Sequence, residues 1–482
     1  MPNPVDDRGS GPSPRWLWLL LLLTLVVGVL YAELIPPWQG PDETGHFEYA
    51  WLLARLGRPP TRDDTSPAFE HELLGSLYEW RYGVYIGRPL PEAMPSRLSD
   101  LPPDVFARRS RTALTGQFSL SYAWQALFLL PSRSQDLAVQ LRIARLSSVL
   151  INVAITWLAF HIFSGLAKGR RSPAFAMTAA LVFLPQHTFI NSMVGDGPLA
   201  ELMACLVLYC WIRLFGNGKR VWLVPGIILG TVAAVGAKAT ASFLIPLDIG
   251  LAVWYMFRRP RWAGGVPSAS ALGRPLLRWT WRRVAFVCAG MALVGVAVWL
   301  FMRFPSPLGV NGESAIRKVL SARDWIWVDP RGITFARALL LSHDSFWAYF
   351  GWMSLPVGPR WYGALLLLAV AAAAGWIWGG KGQDAFAPWA GGLAGAALLT
   401  ALAIFVWFSL LHNSSGYYQF QGRYLFPVVV PFVFLLVGGW GRVATCWRGQ
   451  RPEALAWSGV AFLLLFDAWC VVGYIIPYFH SR

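Results

Sequence analysis

The sequence predicts an all-α fold: a polytopic membrane helical bundle of about eleven transmembrane helices, with a large first outer loop containing juxtamembrane helices. Three observations carry this expectation. The 482 residues are 56% hydrophobic and only 14% charged, where a soluble chain carries roughly a quarter charged residues. Mean hydropathy is +0.46. The apolar residues gather into runs near the ~20 that a bilayer-spanning helix requires. The 27 Trp and 34 Pro suit the same class. Trp favours the membrane–water interface, and Pro is tolerated in membrane helices and common in the loops between them. This composition excludes a disordered chain, a coiled coil and an ordinary cytosolic enzyme. A single integral-membrane domain is expected over 1–482.

The first apolar run covers 16–32 and ends at Glu33. No A-x-A-like site follows it, so it reads as an uncleaved helix, not a signal peptide. Further runs lie at 138–166, 173–190, 198–215, 221–237, 240–257, 284–302, 361–379, 388–411, 424–440 and 455–476. The stretch 118–130 is too short to span and is expected at the interface or re-entrant.

Short-loop Lys and Arg set the orientation. With the N-terminus in the cytoplasm, the inner loops carry Lys168, Arg170, Arg171, Lys219, Arg220, Lys381, Arg442, Arg448 and Arg451. They also include the basic loop 258–283, with Arg258, Arg259, Arg261, Arg274, Arg278, Arg282 and Arg283. The C-terminus then lies outside. The net charge of +16 becomes a topology signal beside an anionic leaflet, and nucleic-acid binding drops out. Arg far outnumbers Lys, which points to a bacterial genome and hence to a bacterial cytoplasmic (inner) membrane.

Outside lie 33–137, 303–360 and a short stretch near 412–423. The first holds thirteen of the 25 acidic residues, interleaved with Arg. None of the five cysteines falls outside, so neither a disulfide framework nor a Cys–His metal site is expected. No internal repeat, Walker A motif or GxGxxG motif is present.

Five segments carry candidate chemistry. The first runs Pro36-Pro37-Trp38-Gln39-Gly40-Pro41-Asp42-Glu43-Thr44-Gly45-His46-Phe47-Glu48-Tyr49-Ala50. Pro41 suits the first helical position, and Asp42 and Glu43 suit the first turn. Asp42, His46 and Tyr49 would share a face. These carboxylates either cap the helix or form a site with the imidazole. The second segment, Gln186-His187 with Asn191 to Pro198, either makes a tight turn around Asp196 or places Asp196 in a site. The third is Lys238, between two apolar runs. It either snorkels or meets a lipid-linked phosphate. The fourth, His343 to Trp352, reads as an interfacial aromatic belt, or as aromatics that stack on a sugar or cover a lipid chain. In the fifth, Arg423 enters a span from outside against the positive-inside trend, with Gln421 and Tyr424 as further donors; its fork of donors fits a phosphate or carboxylate. His161, Asp248 and Asp467 lie inside spans. They either satisfy partners there or form the relay of a transporter.

In order along the chain, Pro41-Asp42-Glu43-x-x-His46, Asn191…Asp196, Lys238-x-Thr240, Ser345-Phe346…Phe350-Gly351 and Gln421-Gly422-Arg423-Tyr424…Pro427 resemble an uncharacterised bacterial family of polytopic membrane proteins. That family is similar in layout to GT-C glycosyltransferases, such as the aminoarabinose, mannosyl and arabinofuranosyl transferases. The Asn191…Asp196 turn departs from the commoner Asn-x-Asp form, which puts Asn191 in doubt. The resemblance implies a membrane glycosyltransferase that moves a sugar from a polyprenyl-phosphate donor to an envelope glycan or lipid acceptor on the outer face. It implies Asp42 or Glu43 as general base, with His46, Asp196, Lys238, His343, Gln421, Arg423 and Tyr424 binding substrate. Some enzymes of this class use a divalent metal ion (Mg or Mn), which Asp42 or Glu43 would hold; the sequence leaves this open. The alternative function is a transporter or flippase of a lipid-linked glycan.

Overall fold

A computed structural model of the protein describes residues 15–61, 63–64, 66–102, 105, 119–217, 222–262, 335–378, 386–414, 420–446 and 452–480. Helices dominate. In chain order they are α1 (Arg15–Leu34), α2 (Glu43–Leu56), α3 (Pro67–Glu79), α4 (Leu120–Leu129), α5 (Leu137–Leu166), α6 (Arg171–Val182), α7 (Pro185–Asn191), α8 (Gly197–Asn217), α9 (Leu223–Ala237) and α10 (Leu244–Trp262). There follow α11 (Phe335–Trp347), α12 (Pro359–Trp378), α13 (Ala390–Ser414), α14 (Val429–Cys446), α15 (Pro452–Cys470) and α16 (Ile476–His480). A two-residue antiparallel ladder, β1 (Tyr349–Phe350) with β2 (Leu355–Pro356), is a small departure from the all-α expectation.

Among the described residues, eight helical segments are long and apolar enough to cross a bilayer, or nine if α6 and α7 form one span. The expected run at 173–190 is broken: α6 and α7 meet at 65°. Pro185 starts the second arm, and proline both lacks an N–H and disfavours helix in the residue before it. The run at 221–237 yields only the 15-residue α9. It stops where Lys238 turns extended (φ −153°) before a 3₁₀ turn at Ala239–Phe243. The expected span 284–302, most of the basic loop 258–283 and the second outer loop before residue 335 lie outside the described residues.

Small residues let the spans approach. Gly375 of α12 and Gly439 of α14 face each other so closely that a methyl group on either would overlap backbone of the other helix. Such contacts drive association in lipid, where apolar burial supplies little. The described residues of 33–137 build a cap with its own apolar core. Trp38, Phe47, Phe69, Leu73 and Leu77 pack there with Leu141 and Ala144 of α5. Within the cap, Ser66 accepts from Phe69 N at 3.4 Å as the N-cap of α3, ahead of Pro67. Gly57 closes α2 at φ +65° with its N–H on Leu53 O, an αL cap that glycine adopts without strain.

The two ends of the bundle differ. At one end Ala387 N donates to Leu166 O at 2.8 Å, and Arg170 and Ser172 meet Glu453. At the other, the ends of α1, α9 and α11 and the start of α8 gather under the cap.

Candidate active site

The cap joins the bundle through the turn between α1 and α2. Glu43 opens α2 and is fully buried. Its carboxylate accepts two bonds from Arg145 of α5, at 2.8 and 2.7 Å. It also accepts from Gly40 N and Val194 N, each at 3.2 Å. The Arg145 guanidinium donates further to Ala32, Ile35 and Pro36 carbonyls. One orphan acceptor of the last turn of α1 and two carbonyls just beyond it are thereby satisfied. Bidentate geometry and full pairing make this a closed structural clamp.

Asp42, one residue earlier, is the N-cap, so the helix begins two residues later than Pro41 alone would predict. Asp42 is left-handed (φ 60°, ψ 13°) and its side chain makes no capping bond. That conformation is unusual for a residue other than glycine, and such strain collects at functional sites. It turns the carboxylate away from the helix toward Arg423 Nη2, 2.9 Å from Oδ2. Asp42 is 50% exposed at this pair and Arg423 11%. The Arg423 Nε is buried and makes no hydrogen bond.

Arg423 sits on a 3₁₀ turn, Gly422–Val428, that leads into α14. Gly422 N donates to Ser345 Oγ at 2.8 Å, and any side chain at 422 would strike the α11 backbone. The Ser345 and Gly422 motifs therefore fix the approach of α11 to this turn. Tyr424 lies beneath both cations, its ring centroid 5.3 Å from Arg423 Cζ and 5.2 Å from Lys238 Nζ, within cation–π range.

Lys238 Nζ donates to Asp196 Oδ1 at 2.6 Å. The turn holding Asp196 is anchored from α4: Ser121 donates to Asp196 O and Gln125 to Gly195 O. Burial alone would raise the Asp196 carboxyl; Lys238, His46 and Arg423 outweigh it and hold the pKa below the ordinary value. His46 lies with its Nδ1 2.6 Å from Tyr122 Oη. Burial raises the Tyr122 pKa, so the phenol stays protonated and donates to Nδ1 in the tautomer that carries its proton on Nε2. Burial lowers the His46 pKa; Asp196 and Asp42 pull it up, Lys238 and Arg423 pull it down, and the balance stays low.

His46, Asp196, Lys238 and Arg423 line one cleft with Pro41, Asn191 and Glu201, and the space enclosed is about 30 Å³. Asp42 stands beside it on Arg423. Five of the expected site residues, Asp42, Glu43, His343, Gln421 and Tyr424, stay out of the lining. His343 pairs with Asp344 and accepts from Trp347 Nε1 at 3.1 Å. The Gln421 carbonyl accepts from Tyr424 N at the start of the 3₁₀ turn. The aromatics after His343 do not form an interfacial belt: Phe346, Trp347 and Phe350 are buried in the core. The residues also do not fit a resident Mg or Mn ion. Among the described residues no group of three His, Cys, Asp or Glu side chains is placed to hold one, and Arg423 and Lys238 already occupy the two carboxylates.

The family model described as "Predicted membrane protein (DUF2142)" matches residues 25–432. The chain belongs to this family. No curated protein and no solved structure matches it. The DUF2142 match takes in every residue of the cleft and ends within α14, so α15 and α16 lie beyond it. Within the matched region two buried charges escaped the sequence reading, Arg145 and Glu201. Both lie inside long apolar runs, and a lone ionisable residue at such depth is the signal that would have found them.

Proposed function

We propose that this DUF2142 protein is a membrane glycosyltransferase of GT-C type. It takes a sugar from a polyprenyl phosphate on the outer side of the bacterial inner membrane and passes it to a glycan or lipid acceptor. The observation that carries the reading is the meeting of a strained, half-exposed carboxylate with two cations at one end of the bundle, Asp42 with Arg423 and, beside them, Lys238. The unpartnered Arg423 Nε adds a buried donor that calls for an anion.

The roles follow from these positions. Asp42 takes the proton of the acceptor hydroxyl as its oxygen bonds to the anomeric carbon. The bond from that carbon to the phosphate oxygen breaks, and the electron pair leaves with the lipid phosphate. Arg423 and Lys238 stabilise the charge gained there. Neutral His46 lines the cleft beside the cations without adding charge. The phosphate displaces Asp42 and Asp196 from the cations on entry, which frees Asp42 to act. Glu43 is given no part in the chemistry, because its oxygens are committed to Arg145.

The test is transfer of radiolabelled sugar from a polyprenyl-phosphate donor in vesicles containing the purified protein. Transfer by the wild type and its loss in Asp42→Asn are expected. Movement of the labelled lipid across the bilayer with no new glycosidic bond would overturn the reading in favour of a flippase.

A further inference from the structure

Below the cations the cleft reaches a buried polar group that the proposed chemistry does not use. His187 and Asn191 of α7 and Glu201 of α8 are each 1% exposed. Glu201 Oε1 lies 2.7 Å from His187 Nε2, and Oε2 accepts from Asn191 Nδ2 at 3.2 Å. Asn191 Nδ2 is also 2.9 Å from His187 Nε2. The amide nitrogen must face the carboxylate, since the flipped amide would set two acceptors together. His187 then donates through Nε2. What is left over is Asn191 Oδ1 and His187 Nδ1, both buried and both without a partner. The amide oxygen is an acceptor. A knot of polar groups made only for stability would be closed; this one leaves that oxygen open.

We propose that Asn191 and Glu201 form a floor that binds the hydroxyl groups of the transferred sugar, an inference that rests on the glycosyl-transfer reading. Both residues line the same cleft as Lys238 and Arg423. A floor that offers a carboxylate and an open amide oxygen, with the cations nearer the mouth, selects a ligand rich in O–H groups there. Glu201 repels a phosphate, which stays at the cations. The depth also fits. A Cβ on Gly197 would stand 3.8 Å from Lys238 Nζ, and Glu201 lies one turn further along the same face of α8, about 6 Å deeper. That is the scale of one pyranose ring hung from a phosphate. Ile190, Phe426 and Pro427 supply an apolar wall for its C–H face. At about 30 Å³ the closed cleft has room for water but not for a ring. The sugar enters when its phosphate parts the two ion pairs across the mouth.

The experiment uses the full-length protein in nanodiscs and tryptophan fluorescence titrations. The probes are farnesyl phosphate, its mannosyl, glucosyl and galactosyl esters, and the ester of a hydroxyl-free tetrahydropyranyl ring. At least one sugar is expected to bind tenfold or more tighter than farnesyl phosphate, and the bare ring no tighter. Glu201→Gln and Asn191→Ala are each expected to lose about tenfold to a hundredfold of that gain while keeping the affinity for farnesyl phosphate. The floor is overturned if no sugar gains, if the bare ring gains equally, or if both variants keep the gain. A variant that loses farnesyl phosphate as well has misfolded, and the bare ring on the wild type then decides. If farnesyl phosphate does not bind the wild type, or binds Arg423→Gln equally well, the glycosyl-transfer reading falls and takes the floor with it.

Discussion

Asp42 and Glu43 are neighbours of one chemical kind, each beside an arginine, yet their surroundings divide them. Glu43 accepts two bonds from Arg145 and two more from backbone N–H groups in a fully buried clamp. Asp42 meets Arg423 through one oxygen and stays half exposed. The difference comes from one backbone conformation. At φ 60° the chain turns sharply between them, so consecutive side chains leave toward the core and toward the cleft. A carboxylate whose bonds are all used holds structure. One left partly unbonded and strained is available for chemistry.

The largest effect that tests this contrast falls on Glu43. Glu43→Gln leaves Arg145 charged and buried without its counterion, a change that costs about 3 to 5 kcal/mol. A sharp loss of folded protein, or a melting temperature well below wild type, is expected. A Glu43→Met, Arg145→Met pair, which removes both charges, should recover much of it. If Glu43→Gln melts like wild type but has lost sugar transfer, the contrast is reversed and Glu43 carries the chemistry.

Asp42→Asn is the mirror experiment. Removing a general base lowers the rate on the order of 10² to 10⁴-fold. A partly exposed pair contributes at most about 1 kcal/mol, so the melting temperature should hardly move. Transfer at the wild-type rate would remove Asp42 from the mechanism. A smaller effect sharpens the role of strain. Asp42→Gly relieves a left-handed residue at a gain of up to about 1 kcal/mol, while abolishing transfer just as Asn does. A less stable Asp42→Gly protein would show that the turn is held by the side chain, not strained against it.

The sequence made the helical membrane class legible, because apolar runs are long-range patterns that survive without coordinates. It also brought Asp42, His46, Asp196, Lys238 and Arg423 forward as candidates, and these five do gather. It did not separate Asp42 from Glu43, since helical spacing puts both in one first turn and an αL N-cap has no signature when the residue is Asp. Arg145 and Glu201 were hidden by averaging: one charge barely lowers the hydropathy of a twenty-residue run. The belt reading of Phe346 and Trp347 failed because an aromatic run is equally suited to an interface and to a core. Their burial in the core, with α11 held close at Gly422, decides between them. The break in the 173–190 run was written in Pro185, and its consequence is large, for the bent arm carries His187 and Asn191 to the cleft.

The smallest expected effect concerns His46, which separates the two carboxylates by pH. Unfolded, a histidine takes up a proton as the pH falls below about 6.5. In the folded protein burial, helped by Lys238 and Arg423 and opposed by Asp196 and Asp42, keeps the His46 pKa lower. Below about pH 6.5 the unfolded chain therefore binds more protons, and stability declines as the pH falls toward the folded value. Asp196 does not share this window. Its folded pKa is depressed, so its contribution is intact above the ordinary carboxylate range and is lost only at more acid pH. His46→Gln should flatten the part of the stability curve just below pH 6.5 relative to wild type. Melting curves at half-unit steps, taken as the difference between the two proteins, cancel the other histidines. An unchanged slope in that interval would mean that His46 titrates in the cleft as it does in water, and that the two ion pairs around it leave the site open to solvent.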